Sequence, residues 1–395
     1  MSRTFFLKLS ISALAMVFAL GLLEIVVRVQ SFRDGDGAWR FRSTRLKPYR
    51  LPVARVERDM AMLSTSTNSF LFYDPDLGWR PRPGLLEHNA AGFRTTGGVP
   101  EKAPAEGVLR IALFGDSYTE GSAHGGWWRV LEERMNAAGV KCEVLNFGVG
   151  GYGMDQAYLR WKKEGAGWQP RIVILGFFAD DCYRNLNLLR LLRDPDSGIP
   201  LMKPRFVLEG DGLRLLNSPT PAPGELAAIV RDFPRWTLAG HEYFFHPEDF
   251  RETLLRRSRL GALIEAKAGL AGRATQAEKF FQPGGEAAQI TLRLLRQMHG
   301  EVTAAGANFY IAHLPSLPDL TNLRVSGRMP QSELLAQVRR EHEVIDVAPA
   351  LLAAGAGRED RDFFFDGHYR EEFHRLAGEV LAEALARQWS KTRRP

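Results

Sequence analysis

Apolar residues are spaced along the chain in three ways, and each predicts a different kind of element. The first is a nearly unbroken run from Phe5 to Val27, interrupted only by Lys8 and Glu24. As a helix rising about 1.5 Å per residue, it reaches about 34 Å, enough for a ~30 Å hydrocarbon core. The fifteen uncharged residues between Lys8 and Glu24 also suit the apolar region of a secretory signal. A cleavable signal should end in a small-x-small site, whereas this run leaves through Leu22-Leu23-Glu24-Ile25-Val26-Val27-Arg28. The expectation is a transmembrane anchor over residues 1–30, with an uncleaved signal or a buried N-terminal helix as alternatives.

The second pattern begins at residue 108, where short apolar runs alternate with stretches of helical period. Strands are predicted at 108–114, 143–147, 171–178, 308–313 and 343–347. Helices are predicted at 127–138, 155–164, 287–304 and 331–341. In the last helix Phe373, Leu376, Ala377, Val380, Leu381, Ala384 and Leu385 form one stripe at 3.6 spacing. Strand–helix alternation implies an α/β fold with a parallel sheet covered on both faces, a three-layer α/β/α sandwich of five strands.

The third pattern is the lack of any period. Residues 31–68 show none, and 31–107 are expected to be a juxtamembrane connector and N-terminal extension. Within it Phe72-Tyr73-Asp74-Pro75-Asp76-Leu77-Gly78-Trp79 is dense in turn residues and should pack irregularly against a domain. The domain itself is expected over 108–390. Alternation fails again at about 183–285, too long for a loop, and predicts an inserted lid or small subdomain.

Composition changes this picture in one place. The 395 residues carry 52 basic and 46 acidic side chains, a formal charge of +6. Residues 28–58 hold nine Arg or Lys against three Asp or Glu, so this segment supplies the whole excess. No folded part is strongly basic, which removes the case for nucleic acid as a partner. The two cysteines, Cys142 and Cys182, are too few for a disulfide scaffold or a four-cysteine zinc site. They are expected near opposite ends of neighbouring strands, too far apart to pair. No His, Cys or Asp cluster has metal-ligand spacing, and neither a metal nor a cofactor is expected.

Open parallel sheets bind ligands at the carboxyl ends of their strands, so candidate chemistry is sought there. The first strand ends in Gly115-Asp116-Ser117, which presents Ser117 either as a nucleophile or as a helix cap. The second ends in Asn146-Phe147-Gly148-Val149-Gly150-Gly151, whose glycines let backbone N–H groups approach an oxyanion or phosphate. The third ends in Asp180-Asp181. Near the C-terminus Asp366-Gly367-His368 places a carboxylate two residues before an imidazole. In an extended chain both project to one side, so Asp366 can orient His368 while its other nitrogen faces Ser117. His313, at the end of the fourth strand, and His374, in the last helix, are expected to be supporting or structural.

Taken together these blocks resemble the SGNH, or GDSL-like, hydrolases. Gly115-Asp116-Ser117 resembles the family's first block, with Tyr118 where the leucine stands. Asn146 to Gly151 resembles the second, and Asp366-Gly367-His368 the last. Upstream, Asp76-Leu77-Gly78-Trp79-Arg80 and Asn89-Ala90-Ala91-Gly92-Phe93-Arg94 resemble a lead-in found in membrane-anchored bacterial members. The resemblance implies a flavodoxin-like sandwich with Ser117 as nucleophile, His368 as base and Asp366 as its partner. The Ser117 and Gly151 N–H groups would form the oxyanion hole. In the third block the residue matching the family's oxyanion asparagine is Asp180, which cannot donate while ionised. Either Asp180 is protonated, or another donor such as Asn185 substitutes, or hydrolysis is weak.

The expected function is a serine esterase acting on an acyl or acetyl ester of a cell-envelope glycan or lipid. Two alternatives stand beside it. One is an O-acyltransferase with the same triad, and the other a catalytically weak glycan- or partner-binding protein on this scaffold. For a single-pass anchor the resemblance implies an extracytoplasmic domain. The Lys and Arg beyond the span, counted by the positive-inside rule, point to the opposite side.

Overall fold

The computed structural model describes residues 3–65, 69–121, 125–275 and 280–392. They form two compact units, one from residues 1–59 with 227–277, the other from 60–226 with 278–395. The region expected as a single insertion at about 183–285 is therefore shared between them. Its first half stays with the sheet domain and most of its second half joins the N-terminal segment.

In the larger unit five parallel strands form the central sheet: β1 (Leu109–Phe114), β2 (Cys142–Asn146), β3 (Ile172–Phe177), β4 (Asn308–His313) and β5 (Val344–Asp346). Their order is β5-β4-β3-β1-β2, the 2-1-3-4-5 arrangement of flavodoxin-like doubly wound sheets. Every residue of β1 and β3 is buried, so the period of two sorts side chains between two cores. Ala112, Phe114, Val173 and Leu175 face a layer built from α3 (Met154–Arg160) and α5 (Glu286–Ala304). Ile111, Leu113, Ile172 and Ile174 face one built from α2 (Trp127–Ala137) and α6 (Glu371–Thr392). The label α1 is kept for the four-residue turn of helix Ser117–Glu120 that follows β1, and α4 for Asp180–Arg184 after β3.

Three expectations need correction. β1 lies between β2 and β3, so the cysteines are not on neighbouring strands; both are free and buried. The stretch after residue 71 is a regular hairpin, Leu71–Asp74 with Gly78–Pro81. Residues 31–68 are not a bare connector either. They contain an antiparallel sheet of Ser31–Arg33, Trp39–Phe41 and Thr44–Arg45, then a helix over Val53–Thr65. These strands have two or three residues, too few to show a period.

In the smaller unit the apolar run is one helix, Arg3–Gln30. Within Thr4–Gln30 the most apolar 18-residue window has a mean hydropathy of 2.3 and is almost wholly uncovered, with 6% buried. By length and composition it can cross a membrane. Its last turns are nevertheless built into the fold. The Glu24 carboxylate accepts from Ser258 Oγ (2.7 Å) and from the N–H groups of Arg259 (3.0 Å) and Leu260 (2.8 Å). It thereby caps the helix Arg259–Thr275, satisfying donors that a helix N-terminus leaves open. Val27 is buried.

Candidate active site

Ser117 is the first residue of α1. The preceding Asp116 is the cap, its carboxylate accepting from the Tyr118 N–H at 2.8 Å. The hydroxyl that sequence alone leaves between nucleophile and cap is therefore free of capping duty. Its Oγ lies 2.8 Å from His368 Nε2.

The glycine loop after β2 runs against α1. A Cβ on Gly148 would lie 2.5 Å from the Glu120 nitrogen, so only glycine allows this approach. Gly150 donates to Glu120 Oε2 at 2.7 Å, and its carbonyl accepts from Trp79 Nε1 at 3.1 Å. Gly151 follows with φ +80°, and a Cβ there would meet Ile199 Cδ1 at 2.7 Å. The lead-in thus forms part of the site's frame. Tyr152 donates its phenol proton to the Trp79 carbonyl at 2.6 Å. Arg94 exchanges main-chain hydrogen bonds with Asn146 (3.0 and 2.9 Å) and reaches the Glu120 carbonyl at 3.2 Å.

His368 sits on a hairpin. Phe364 pairs with Tyr369 and Phe365 with His368, leaving Asp366-Gly367 as a two-residue turn. Both have positive φ, 48° and 76°, as in the type I′ turns that favour Asp-Gly. This departs from the extended backbone assumed for a carboxylate–imidazole contact. The Asp366 side chain is exposed. What His368 Nδ1 meets instead is the Asp366 main-chain carbonyl, at 2.9 Å. A carbonyl oxygen only accepts, so Nδ1 carries the proton, and the neutral ring offers Nε2 as an acceptor toward Ser117.

Tyr118, the departure from the family's leucine, has a place in this arrangement. Its phenol donates to the Gly367 carbonyl at 2.5 Å, and its ring stacks on Phe178 with centroids 4.2 Å apart. Burial, with Asp116 nearby, pushes the phenol's pKa far up, so it remains a donor. The sequence identifies Tyr118 as unusual without showing that it ties the nucleophile's turn of helix to the histidine's hairpin.

Behind the serine lies a charged network. Arg184 Nη1 donates to Asp116 (2.7 Å), Asp181 (2.8 Å) and the Tyr152 carbonyl (3.0 Å). Arg184 Nη2 lies 3.1 Å from Asp180, which is also paired with Arg193. Burial raises the pKa of Asp180, but Arg184, Arg193 and Arg190 outweigh it and hold the carboxyl below its ordinary value. Of the three possibilities raised by the Asn-to-Asp departure, protonation of Asp180 is therefore disfavoured. Asp181 behaves oppositely: burial and the adjacent Asp116 push it well up despite Arg184. Asn185 is fully buried; it donates to Thr291 Oγ1 (3.2 Å) and accepts from the Asp155 N–H (3.2 Å). Its amide supports α3 and α5 rather than the serine. His313 is buried, with Nδ1 2.7 Å from Asp346 Oδ1, and His374 is buried against Tyr369. Among the described residues no group of three His, Cys, Asp or Glu is poised to hold a metal.

No family model matches the chain, and no curated protein does. Among solved structures the chain is similar to Axe2, an acetylxylan esterase from Geobacillus stearothermophilus. The identity is 12%, over 71% of this chain and 93% of that one, with a TM-score of 0.37. It is also similar to the acetyl xylan esterase AlAXEase, at 12% identity over 70% and 100% of the two chains, with a TM-score of 0.39. A third is a protein of the G-D-S-L family from Desulfitobacterium hafniense DCB-2, at 14% over 70% and 98%, with a TM-score of 0.35. At this level of similarity the description of the fold rests on the chain's own strand order and the residues at its carboxyl edge.

Proposed function

We propose that the larger unit is a serine esterase of the SGNH type. The observation that carries this reading is the 2.8 Å contact between Ser117 Oγ and His368 Nε2 at the carboxyl edge of the sheet. Ser117 Oγ attacks the ester carbonyl carbon while its proton passes to His368 Nε2. The Nδ1–H stays on the Asp366 carbonyl throughout, fixing the ring. Charge on the former carbonyl oxygen is met by the Ser117 and Gly151 N–H groups. The imidazolium then protonates the departing alkoxide, leaving an acyl-serine. Water, deprotonated by the same nitrogen, releases the acid. The test is hydrolysis of p-nitrophenyl acetate by the purified chain and by Ser117→Ala; equal rates would remove the proposal.

The substrate we assign is an acyl or acetyl ester of a cell-envelope glycan or lipid, on the strength of the family resemblance and the apolar helix. We also read the Arg3–Gln30 helix as a retained anchor. Glu24 supports this, because cleavage after the apolar run would remove the cap of the Arg259–Thr275 helix. The resemblance favours an extracytoplasmic catalytic unit, and a phosphatase fused at the C-terminus tests that side by its activity.

A further inference from the structure

The turn that precedes the Arg259–Thr275 helix is unusual for a folded surface. Leu254 is 79% exposed and Leu255 54% exposed, side by side on residues 254–257. Val29 and Phe32, at the end of the apolar helix and just beyond it, are likewise exposed. Two adjacent leucines left in water forgo the stabilisation that burial of their apolar surface would give.

The depth of this turn relative to the apolar helix is set by bonds within the smaller unit. Glu24 holds Ser258, Arg259 and Leu260, and Arg28 Nη2 donates to the Arg257 carbonyl at 3.1 Å. Residues 254–257 are thereby held beside the last turn of the Phe5–Val27 run, the level at which a spanning helix of this length would leave the hydrocarbon. Cations gather at the same level. The Arg259 guanidinium lies 3.7 Å from the Trp39 ring centroid, and that of Arg33 lies 5.0 Å from the same ring. Burial and the nearby Arg28 and Arg33 together hold Arg259 below its ordinary pKa, a sign of crowded positive charge. Of the acids beside them, Glu24 is engaged as a cap and Glu252 stands near Arg259.

We propose that this surface is a second membrane contact. Leu254 and Leu255 enter the interfacial layer of the bilayer crossed by the apolar helix, and Arg33 and Arg257 take the phosphates of anionic lipids. The contact rests on the anchor reading. The occupant is an anionic lipid surface because exposed leucines rimmed by arginines at a headgroup boundary match apolar insertion plus charge attraction. It fixes the smaller unit against the membrane, so that the anchor is more than a tether.

The experiment uses the full chain in nanodiscs of phosphatidylcholine, with or without phosphatidylglycerol. Cys142 and Cys182 are buried, and burial pushes both thiols up to about 12, so an environment-sensitive dye attaches selectively to an introduced thiol. L254C carries the dye in one sample and A13C in another, with spin-labelled lipids as quenchers. The A13C dye should be quenched by labels deep in the acyl chains. The L254C dye should be quenched by shallow labels, and more strongly with phosphatidylglycerol. R33Q or R257Q should each lower its docked-to-free ratio about fivefold in anionic discs. If A13C is quenched while L254C remains as open to iodide as free dye, the contact is refuted and the anchor stands. If A13C is not quenched, the anchor falls and the contact with it. Shielding of L254C that depends on protein concentration in detergent would assign the leucines to a second copy and overturn the proposal.

Discussion

The two halves of the candidate site, the serine turn and the histidine hairpin, are held in opposite ways. The serine half is set among buried residues, with Asp116, Tyr118, Thr119 and Glu120 all buried around a half-buried Ser117. Asp116 caps its helix turn and pairs with Arg184, while Glu120 and Trp79 clamp Gly150 from either side. The histidine half is a two-residue turn whose leading carboxylate faces solvent. The Asp366 carbonyl on Nδ1 and the Tyr118 phenol on Gly367 steady the turn itself, and Tyr369 ties the strand beyond it to the Pro315 carbonyl at 2.8 Å. The contrast teaches that an imidazole can be oriented by a main-chain carbonyl where the neighbouring carboxylate is exposed.

Substitutions in the two halves should differ sharply in their cost. The largest effect is expected from Ser117→Ala, which should cost on the order of 10⁶ in kcat, as loss of a nucleophile does in a comparable serine enzyme. Next, Gly151→Ala places a Cβ against Ile199 at a φ of +80° and displaces an oxyanion donor. Steady-state rates should fall about 10²–10³-fold. Asp180→Asn should act in the other direction. If position 180 faces the oxyanion as the family resemblance implies, the change replaces a repelling charge with a donor amide, so kcat should rise about tenfold, within the range of one such donor. A fall instead would mean that Asp180 serves chiefly to hold Arg184 and Arg193.

Smaller effects separate the two halves most sharply. Tyr118→Phe deletes one buried hydrogen bond on the histidine turn and should lower kcat about fivefold, near 1 kcal/mol. Asp366→Ala should change kcat by less than about threefold, because its carbonyl remains. Loss of an orienting carboxylate in a conventional triad costs about 10⁴, so an effect of that size would put the carboxylate on His368 and contradict the carbonyl geometry.

Much of the frame was legible because burial imposes period. Strands such as Ile172–Phe177 and the helix Glu286–Ala304 are long enough for a period of 2 or 3.6 to emerge, and their bounds lie within a residue or so of expectation. The positions of Ser117 and the glycine loop at the carboxyl edge were also legible, since they directly follow strands of a parallel sheet, and the structure brings His368 to the same edge. The short strands of 31–45 were not, and neither was the partition of the insertion, because local pattern does not encode which distant segment packs where. The backbone at Asp366 departs from the extended reading for a local reason. Asp-Gly between aromatic residues is a hairpin signal, and an extended reading of Asp366–His368 overlooks it. Tyr118 escaped because its partner, Gly367, is 249 residues away.

The central claim is that Ser117 is a nucleophile activated by His368 without the Asp366 carboxylate. Its most direct test is labelling with a fluorophosphonate, followed by peptide mass spectrometry. One adduct per chain is expected, on Ser117, retained in Asp366→Ala and lost in His368→Ala. An unlabelled chain, an adduct on another residue, or loss of labelling in Asp366→Ala would contradict it.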